Sequence, residues 1–348
     1  MTDTNNRIFQ LRKHLSKTKT DALLVSNPSN IFYITGFHGA DSQCLITKNN
    51  QYILTDFRYS EEAAKTCKNF DILDSYETLL SKLTKLIKKS KFTKIGFEEN
   101  YVSYNQIKTL EAKIGRLLTP SLSVIEKMRV IKDESELALI IKAAEINLNS
   151  ISKIIKNIRI NQSEKLTAAS LEYAFIKNGA DAMAFPSIVA SGENSSKPHA
   201  KPTDKKFRKS EPITIDSGVK FKSYNSDITR SFCIEKEDEF FKMLYNIVNT
   251  AQKLAIDKVK PGTKISDIDK TARDFIAKKG YAKNFGHATG HGIGIDVHEL
   301  PSISSKTKGV LKPGMVFTIE PGIYIPGWGG IRIEDMVVVT QKGHMVIT

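Results

Sequence analysis

The alternation of apolar and polar positions changes period along the chain, and the period names the elements. Residues 7–19 read as an amphipathic helix. Residues 21–26 (DALLVS) read as a short buried strand ending in the turn signal Asn27-Pro28-Ser29-Asn30. Further strands are expected at 44–47, 52–55, 71–74 and 94–97, with helices at 61–68 and 76–90 between them. Strands alternating with helices imply an α/β domain. The stretch 119–123 (TPSLS) reads as a connection, which closes this domain near residue 125.

Beyond it, Asp133 and Glu136 have capping-box spacing. Behind them Leu137, Ile140, Ile141, Ala144, Leu148, Ile151 and Ile155 recur at helical period. A second helix, about 163–177, ends at the stop signal Asn178-Gly179. Strands follow, then helices near 237–258 and 265–279, then strands to the end. A helix pair followed by strands thus occurs twice, which hints at an internal duplication.

Composition narrows the class. At 348 residues, with 40% hydrophobic and 26% charged, the chain has room for two domains and builds a core without staples. That excludes disordered, collagen-like and coiled-coil proteins. No apolar run approaches the ~18–20 residues that span a bilayer. The start is polar rather than a signal segment, so a cytoplasmic protein without a membrane partner is expected. Cys44, Cys67 and Cys233 are scattered and make neither a disulfide framework nor a zinc or redox spacing. The net charge of +14 is spread, with +6 over residues 1–125 and +8 over the rest. Its densest stretch, 81–94, sets lysines between Leu83, Leu86 and Ile87, the wet face of a helix. This is a lysine-rich surface, and no nucleic-acid partner is expected.

The chemistry lies in the second part. Residues 212–219 (PITIDSGV) and 225–233 (NSDITRSFC) read as two strands of a hairpin. Alternation puts Thr214, Asp216 and Gly218 on one face, and Asp227, Thr229 and Ser231 on one face of the second. Asp216 and Asp227 then lie side by side, where each raises the other's pKa unless a cation holds both. Residues 316–320 (VFTIE) form a strand with Glu320 facing like Thr318. Residues 331–339 (IRIEDMVVV) form another, with Arg332 and Glu334 on one face of an otherwise apolar run. A buried acid needs a partner or a metal.

Three of the seven histidines, His287, His291 and His298, cluster in one glycine-rich segment, and His199 stands apart. The spacing of His287 and His291 would suit a zinc helix, but Gly290, Gly292 and Gly294 argue for loop and strand. The glycines match neither a dinucleotide nor a P-loop pattern.

Together these residues resemble the pita-bread metallopeptidases. The family pattern Asp, Asp, His, Glu, Glu is met by Asp216, Asp227, His291, Glu320 and Glu334. The strings NSDITRSF, GHGIGIDVHE, FTIEPGIY and GIRIED are similar to the Xaa-Pro branch, prolidase and aminopeptidase P, as is 185–199 (FPSIVASGENSSKPH). NIFYITGF and LTDFRYSEEA resemble that branch's N-terminal domain. The resemblance implies a creatinase-like α/β N-terminal domain over 1–125 and an α+β pita-bread catalytic domain over 126–348. It implies two divalent metal ions, manganese first and cobalt or zinc as alternatives. Asp216 would bind one metal, His291 and Glu320 the other, and Asp227 and Glu334 both. Glu320 would shuttle the proton, His199 and His298 would contact substrate, and Arg332 would order the ligands or the substrate. His287 is similar to a near-site family histidine and equally suits a packing role.

The expected reaction is hydrolysis of the bond preceding proline in peptides, with dipeptides and longer chains both open. A homodimer is expected, because all five ligands lie beyond residue 215 and the first domain must shape access or assembly. Two alternatives share the layout: a non-catalytic pita-bread binding module, and a metal-free creatinase-like hydrolase. Neither requires all five ligands.

Overall fold

The computed structural model describes residues 4–74 and 77–348. It divides into two compact units, Met1–Arg129 and Val130–Thr348. The first unit runs α1 (Thr4–Lys17), β1 (Ala22–Val25), α2 (Pro28–Thr35), β2 (Gln43–Thr47), β3 (Gln51–Leu54), α3 (Ser60–Thr66), β4 (Asp71–Leu73), α4 (Leu79–Ser90), β5 (Ile95–Phe97), α5 (Tyr104–Ile114), β6 (Leu118–Pro120) and α6 (Val124–Arg129). The strands form one mixed sheet in the order β4-β3-β2-β1-β5-β6. Ala22, Leu24, Leu45 and Leu54 from the sheet pack with Leu83 and Ile87 of α4 and Leu110 of α5.

Three features differ from the sequence reading. Asn27-Pro28-Ser29-Asn30 is a helix start rather than a turn: Asn27 accepts from the Ser29 N–H at 2.9 Å, and α2 follows. Asn and Pro serve both purposes, and the buried Ile31, Tyr33 and Ile34 decide for a helix. Thr119 and Pro120, read as a connection, belong to β6, where an edge position tolerates proline. Helix α5, with its Ser103–Gln106 capping box, went unread. Of the helix expected over 76–90, Tyr76 lies outside the described residues, and the rest begins at Leu79.

The second unit opens with α7 (Glu134–Asn157) and α8 (Glu164–Lys177), then β7 (Ala182–Met183), β8 (Ile188–Ser191), β9 (Ile213–Ser217), β10 (Val219–Phe221), β11 (Tyr224–Asn225) and β12 (Ile228–Phe232). After α9 (Glu239–Asp257) and α10 (Ile265–Lys278) come β13 (Gly290–Gly292), β14 (Glu299–Ile303), β15 (Val316–Ile319), β16 (Gly322–Ile325), β17 (Gly329–Arg332), β18 (Asp335–Val339) and β19 (His344–Val346). The Asp133 side chain accepts from the Glu136 N–H at 2.9 Å, and Glu136 answers at the Asp133 N–H at 3.0 Å, so the expected capping box starts α7. Ile146, Ile151, Leu171 and Phe175 of the first helix pair share a core with Ile213, Ile215 and Val219. Leu244, Val248, Ile268 and Ile276 of the second pair share another with Phe317, Ile319, Ile331 and Val337.

The long strands expected at 212–219 and 331–339 are each broken. The first stops at Gly218, where a Cβ would lie 2.3 Å from the Ser226 carbonyl oxygen, so the chain bends around a crossing backbone. The second breaks at Ile333 and Glu334, where the Glu334 N–H leaves the ladder and donates to the Thr229 carbonyl at 3.2 Å.

Asn147 ties the helix layer to the sheet. Fully buried on α7, it donates to the Ser217 carbonyl at 2.6 Å and accepts from the Ser217 hydroxyl at 3.0 Å. Asn147→Ala strands both groups in an apolar layer and is expected to destabilise the unit by about 1–3 kcal/mol. Equilibrium urea unfolding measures this; an unchanged midpoint would contradict the anchoring role.

Candidate metal centre

The nine residues singled out from the sequence line one cavity of about 520 Å³: Asp216, Asp227, His291, Glu320, Glu334, His199, His298, Arg332 and His287. Phe185, Pro186, Ile188, Pro198 and Val297 give it an apolar wall.

One strand and three strand ends or gaps put the acids there. In the β9–β12 ladder Asp216 sits opposite Thr229, and Asp227 lies two residues before Thr229. Asp227 itself falls outside the ladder, in the gap between β11 and β12 that breaks the strand expected over 225–233. Glu320 follows the last residue of β15, its N–H held by the Thr289 carbonyl at 2.8 Å. Glu334 occupies the break before β18. His291 is the middle residue of β13, where the glycines have a packing reason. A Cβ at Gly290 would lie 1.9 Å from the Thr318 carbonyl oxygen, and one at Gly292 2.2 Å from that of Leu300. Only glycine lets these backbones close around the imidazole.

A few contacts fix the acids. Arg332 donates from Nη2 to Asp216 Oδ2 at 2.6 Å, from Nε to Thr229 Oγ1 at 3.1 Å, and from Nη1 to Tyr324 Oη at 2.9 Å. Thr229 donates to Glu334 Oε2 at 2.6 Å, and Thr318 to Glu320 Oε1 at 3.2 Å. Sequence reasoning passed over Tyr324, and placed Thr229 and Thr318 on the ligand faces without giving them a role. Their signal was position: each lies within a few residues of a proposed ligand, and the two threonines share its strand face. His287 bonds Tyr324 Oη through Nε2 at 3.0 Å and faces the Ala288 carbonyl at 2.8 Å through Nδ1. It belongs to this supporting network, and burial pushes it down to about 4, so it is neutral.

The electrostatics call for cations. Asp216 Oδ1, Asp227 Oδ1 and Glu334 Oε1 are buried and have no hydrogen-bond partner among the described residues. Burial, reinforced by Glu334, Asp216 and Glu320, raises Asp227 well above the ordinary aspartate range. Burial, with Glu320 and Asp216, does the same to Glu334. Burial pushes Glu320 up to about 7 against the pull of Arg332. Burial also pushes His291 down to about 4, with His298 adding to it. The neutral ring turns Nδ1 to the Gly292 carbonyl at 3.1 Å, which assigns the proton there. Its Nε2 lone pair then faces Glu320 Oε1 at 3.4 Å and Asp227 Oδ2 at 3.6 Å. Lone pairs facing one another repel unless a proton or a cation lies between them. Ligand atoms of Asp227, His291 and Glu334 fall within 4.8 Å of one another, a spacing that fits a shared ion.

A buried set of carboxylates and one imidazole under an open cleft defines a metallohydrolase centre. Residues 138–341 match metallopeptidase family M24, and residues 7–131 match the Creatinase/Prolidase N-terminal domain. The chain belongs to metallopeptidase family M24. Within it the N-terminal domain and the relatives put it in the Xaa-Pro branch, and it is a metallo-exopeptidase. It is 36% identical to the Xaa-Pro dipeptidase of Pyrococcus horikoshii over 349 residues, 99% of this chain and 97% of that one. The solved Xaa-Pro dipeptidase of Bacillus anthracis superposes with a TM-score of 0.96 at 36% identity, covering 99% of this chain and 98% of its own. The X-Pro aminopeptidase of Thermotoga maritima superposes with a TM-score of 0.89, also at 36% identity, covering 97% of each chain.

The raised carboxylates give a pH dependence with a definite sign. An acid that holds its proton up to about 7 has to release it when a cation binds. Metal affinity is therefore expected to rise with pH through about 7 and to be lost as pH falls through it, with one or more protons released per chain. Calorimetric titration of manganese into chelator-treated protein, in buffers of different ionisation enthalpy, reads the protons. Heats independent of the buffer would contradict the account.

Proposed function

We propose that this metallopeptidase is a dinuclear Xaa-Pro dipeptidase that prefers manganese, with Asp216, Asp227, His291, Glu320 and Glu334 holding the two ions. The supporting observation is the set of buried oxygens without a partner among the described residues on Asp216, Asp227 and Glu334, residues that line one cavity with the neutral His291. Four carboxylates balance two divalent cations in charge. An oxygen-rich donor set with a single imidazole suits manganese over softer ions. When bound, such cations supply Lewis acidity toward a carbonyl and toward water.

The chain's own residues would do the rest. Glu320 would take and return the proton, the role that the resemblance to the family gives it. Arg332 holds Asp216 Oδ2 and keeps that carboxylate in one orientation. His199 and His298 stand on the cavity wall as hydrogen-bond partners for the peptide. The apolar wall of Phe185, Pro186, Ile188, Pro198 and Val297 suits a proline ring, whose amide has no N–H to satisfy. The dipeptide preference rests on the names of the Pyrococcus and Bacillus relatives. The first unit carries none of the five proposed ligands, and we assign it to shaping substrate access in a homodimer.

The test is hydrolysis of Xaa-Pro, Xaa-Pro-Yaa and Xaa-Ala peptides by the manganese-loaded chain. Xaa-Pro should be cleaved fastest, and Xaa-Ala about a hundredfold more slowly or less. Equal rates on Xaa-Pro and Xaa-Ala would overturn the proline assignment. Faster cleavage of Xaa-Pro-Yaa would turn the reading toward an aminopeptidase.

A further inference from the structure

Four consecutive residues, Pro198, His199, Ala200 and Lys201, stand on the cavity wall. They belong to a strap, residues 192–203, that leaves β8 at Ser191 and contains one short 3₁₀ turn over Gly192–Ser196. A strap without a strand or an α-helix of its own is placed by what its ends are bonded to.

One side chain gathers those ends. Glu164, the first residue of α8, is fully buried. Its Oε1 accepts from the Ser191 N–H at 2.7 Å and from the Ser191 hydroxyl at 2.9 Å. Its Oε2 accepts from the Thr203 N–H at 2.9 Å, the Thr203 hydroxyl at 2.7 Å and Asn194 Nδ2 at 2.9 Å. Both ends of the strap and one residue inside it therefore meet on a single carboxylate. Asn194 Nδ2 also donates to the Lys201 carbonyl at 3.3 Å, two residues past His199. Five donors and the start of a helix offset the cost of burying this charge. Lys205 joins the network at the Ser191 hydroxyl, at 2.7 Å, while it pairs with Glu211 at 2.6 Å.

Two other contacts hold the middle of the strap. The Gly330 N–H donates to Ser195 Oγ at 2.9 Å, and Arg332 Nη1 to the Pro198 carbonyl at 3.1 Å. Both lie before His199. The stretch after it, from Lys201 to Thr203, is held through Asn194 and Glu164, and by the Lys165 N–H on the Thr203 carbonyl at 3.1 Å. His199 is exposed, so its ring stands where the strap carries it.

We propose that Glu164 is a positioning residue for the reaction: its carboxylate sets the strap 192–203 and so holds His199 against the bound peptide. The inference rests on His199 being a peptide contact, as proposed above. Each Glu164 oxygen accepts from a backbone N–H, which cannot turn round to accept in its place. The amide of Glu164→Gln, in either orientation, therefore sets its NH2 against the N–H of Ser191 or of Thr203. One end of the strap then loses its acceptor. A displacement of about 1 Å in a group facing the reacting bond is enough to cost up to ~100-fold in rate.

The experiment is a double-mutant cycle on the manganese-loaded full chain with an Xaa-Pro dipeptide, reading kcat, KM and metal content. Glu164→Gln should lower kcat/KM about tenfold or more with metal content unchanged. Amide hydrogen exchange across 192–203 should quicken in the same variant. In a His199→Ala background, Glu164→Gln should add less than about twofold, because the ring it positions is gone. Equal fold-losses with and without His199, a loss of metal, or a strap whose exchange is unchanged would overturn the proposal. Native kcat/KM in His199→Ala alone would instead sink His199 as a peptide contact, the reading on which the proposal rests. If Glu164→Gln does not fold, Asn194→Ala removes one strap donor, leaves Glu164 the other four and enters the same cycle with the same outcomes.

Discussion

The structure depends on one electrostatic conflict: four carboxylates and a neutral imidazole buried around one cavity. Burial raises the cost of every charge, and each carboxylate adds to the cost of the others. Protons relieve the conflict at low pH, which is why Asp227 and Glu334 are held well above their ordinary range. Near neutral pH, divalent cations would relieve it with the acids ionised. Three oxygens with no hydrogen-bond partner among the described residues, all on acids that line the cavity, fit that arrangement.

The remainder of the second unit keeps this arrangement from relaxing. Arg332 occupies one oxygen of Asp216 and Thr229 one of Glu334, the other oxygen of each having no partner among the described residues, while Thr318 donates to the same Glu320 Oε1 that lies 3.4 Å from His291 Nε2. Tyr324 links Arg332 to His287, so the network reaches the glycine-rich segment that carries His291. Asn147 then ties β9, which bears Asp216, to the helix layer. Donors aimed at one oxygen of Asp216 and of Glu334 hold the other in place, which is how a rigid centre is built ahead of its ligand.

Much of this was legible in the sequence because it follows local rules. The period of Leu137 to Ile155 and the spacing of Asp133 and Glu136 define α7 and its start. The expected strands carry Asp216, Asp227, Glu320 and Glu334 to one cavity, although only Asp216 sits within a strand and the other three fall in gaps or at strand ends. What stayed hidden was set by distant contacts. The break at Glu334 is invisible in an unbroken apolar run, because its cause is the Thr229 carbonyl, 105 positions earlier. Glu164 and Thr203 are 39 positions apart and belong to no shared pattern. Asn27 to Asn30 misled for another reason: the residues that make turns also cap helices, and burial of the residues behind them decides.

The central claim is that these carboxylates exist to hold cations, and the most direct measurement is the metal count. Purified chain equilibrated with manganese and freed of excess should carry two ions per chain by elemental analysis. Asp227→Asn should lose metal and turnover together, since an amide brings no charge to the centre. Turnover that persists in native chain stripped of metal, or an Asp227→Asn chain that keeps both ions and full activity, would contradict the account.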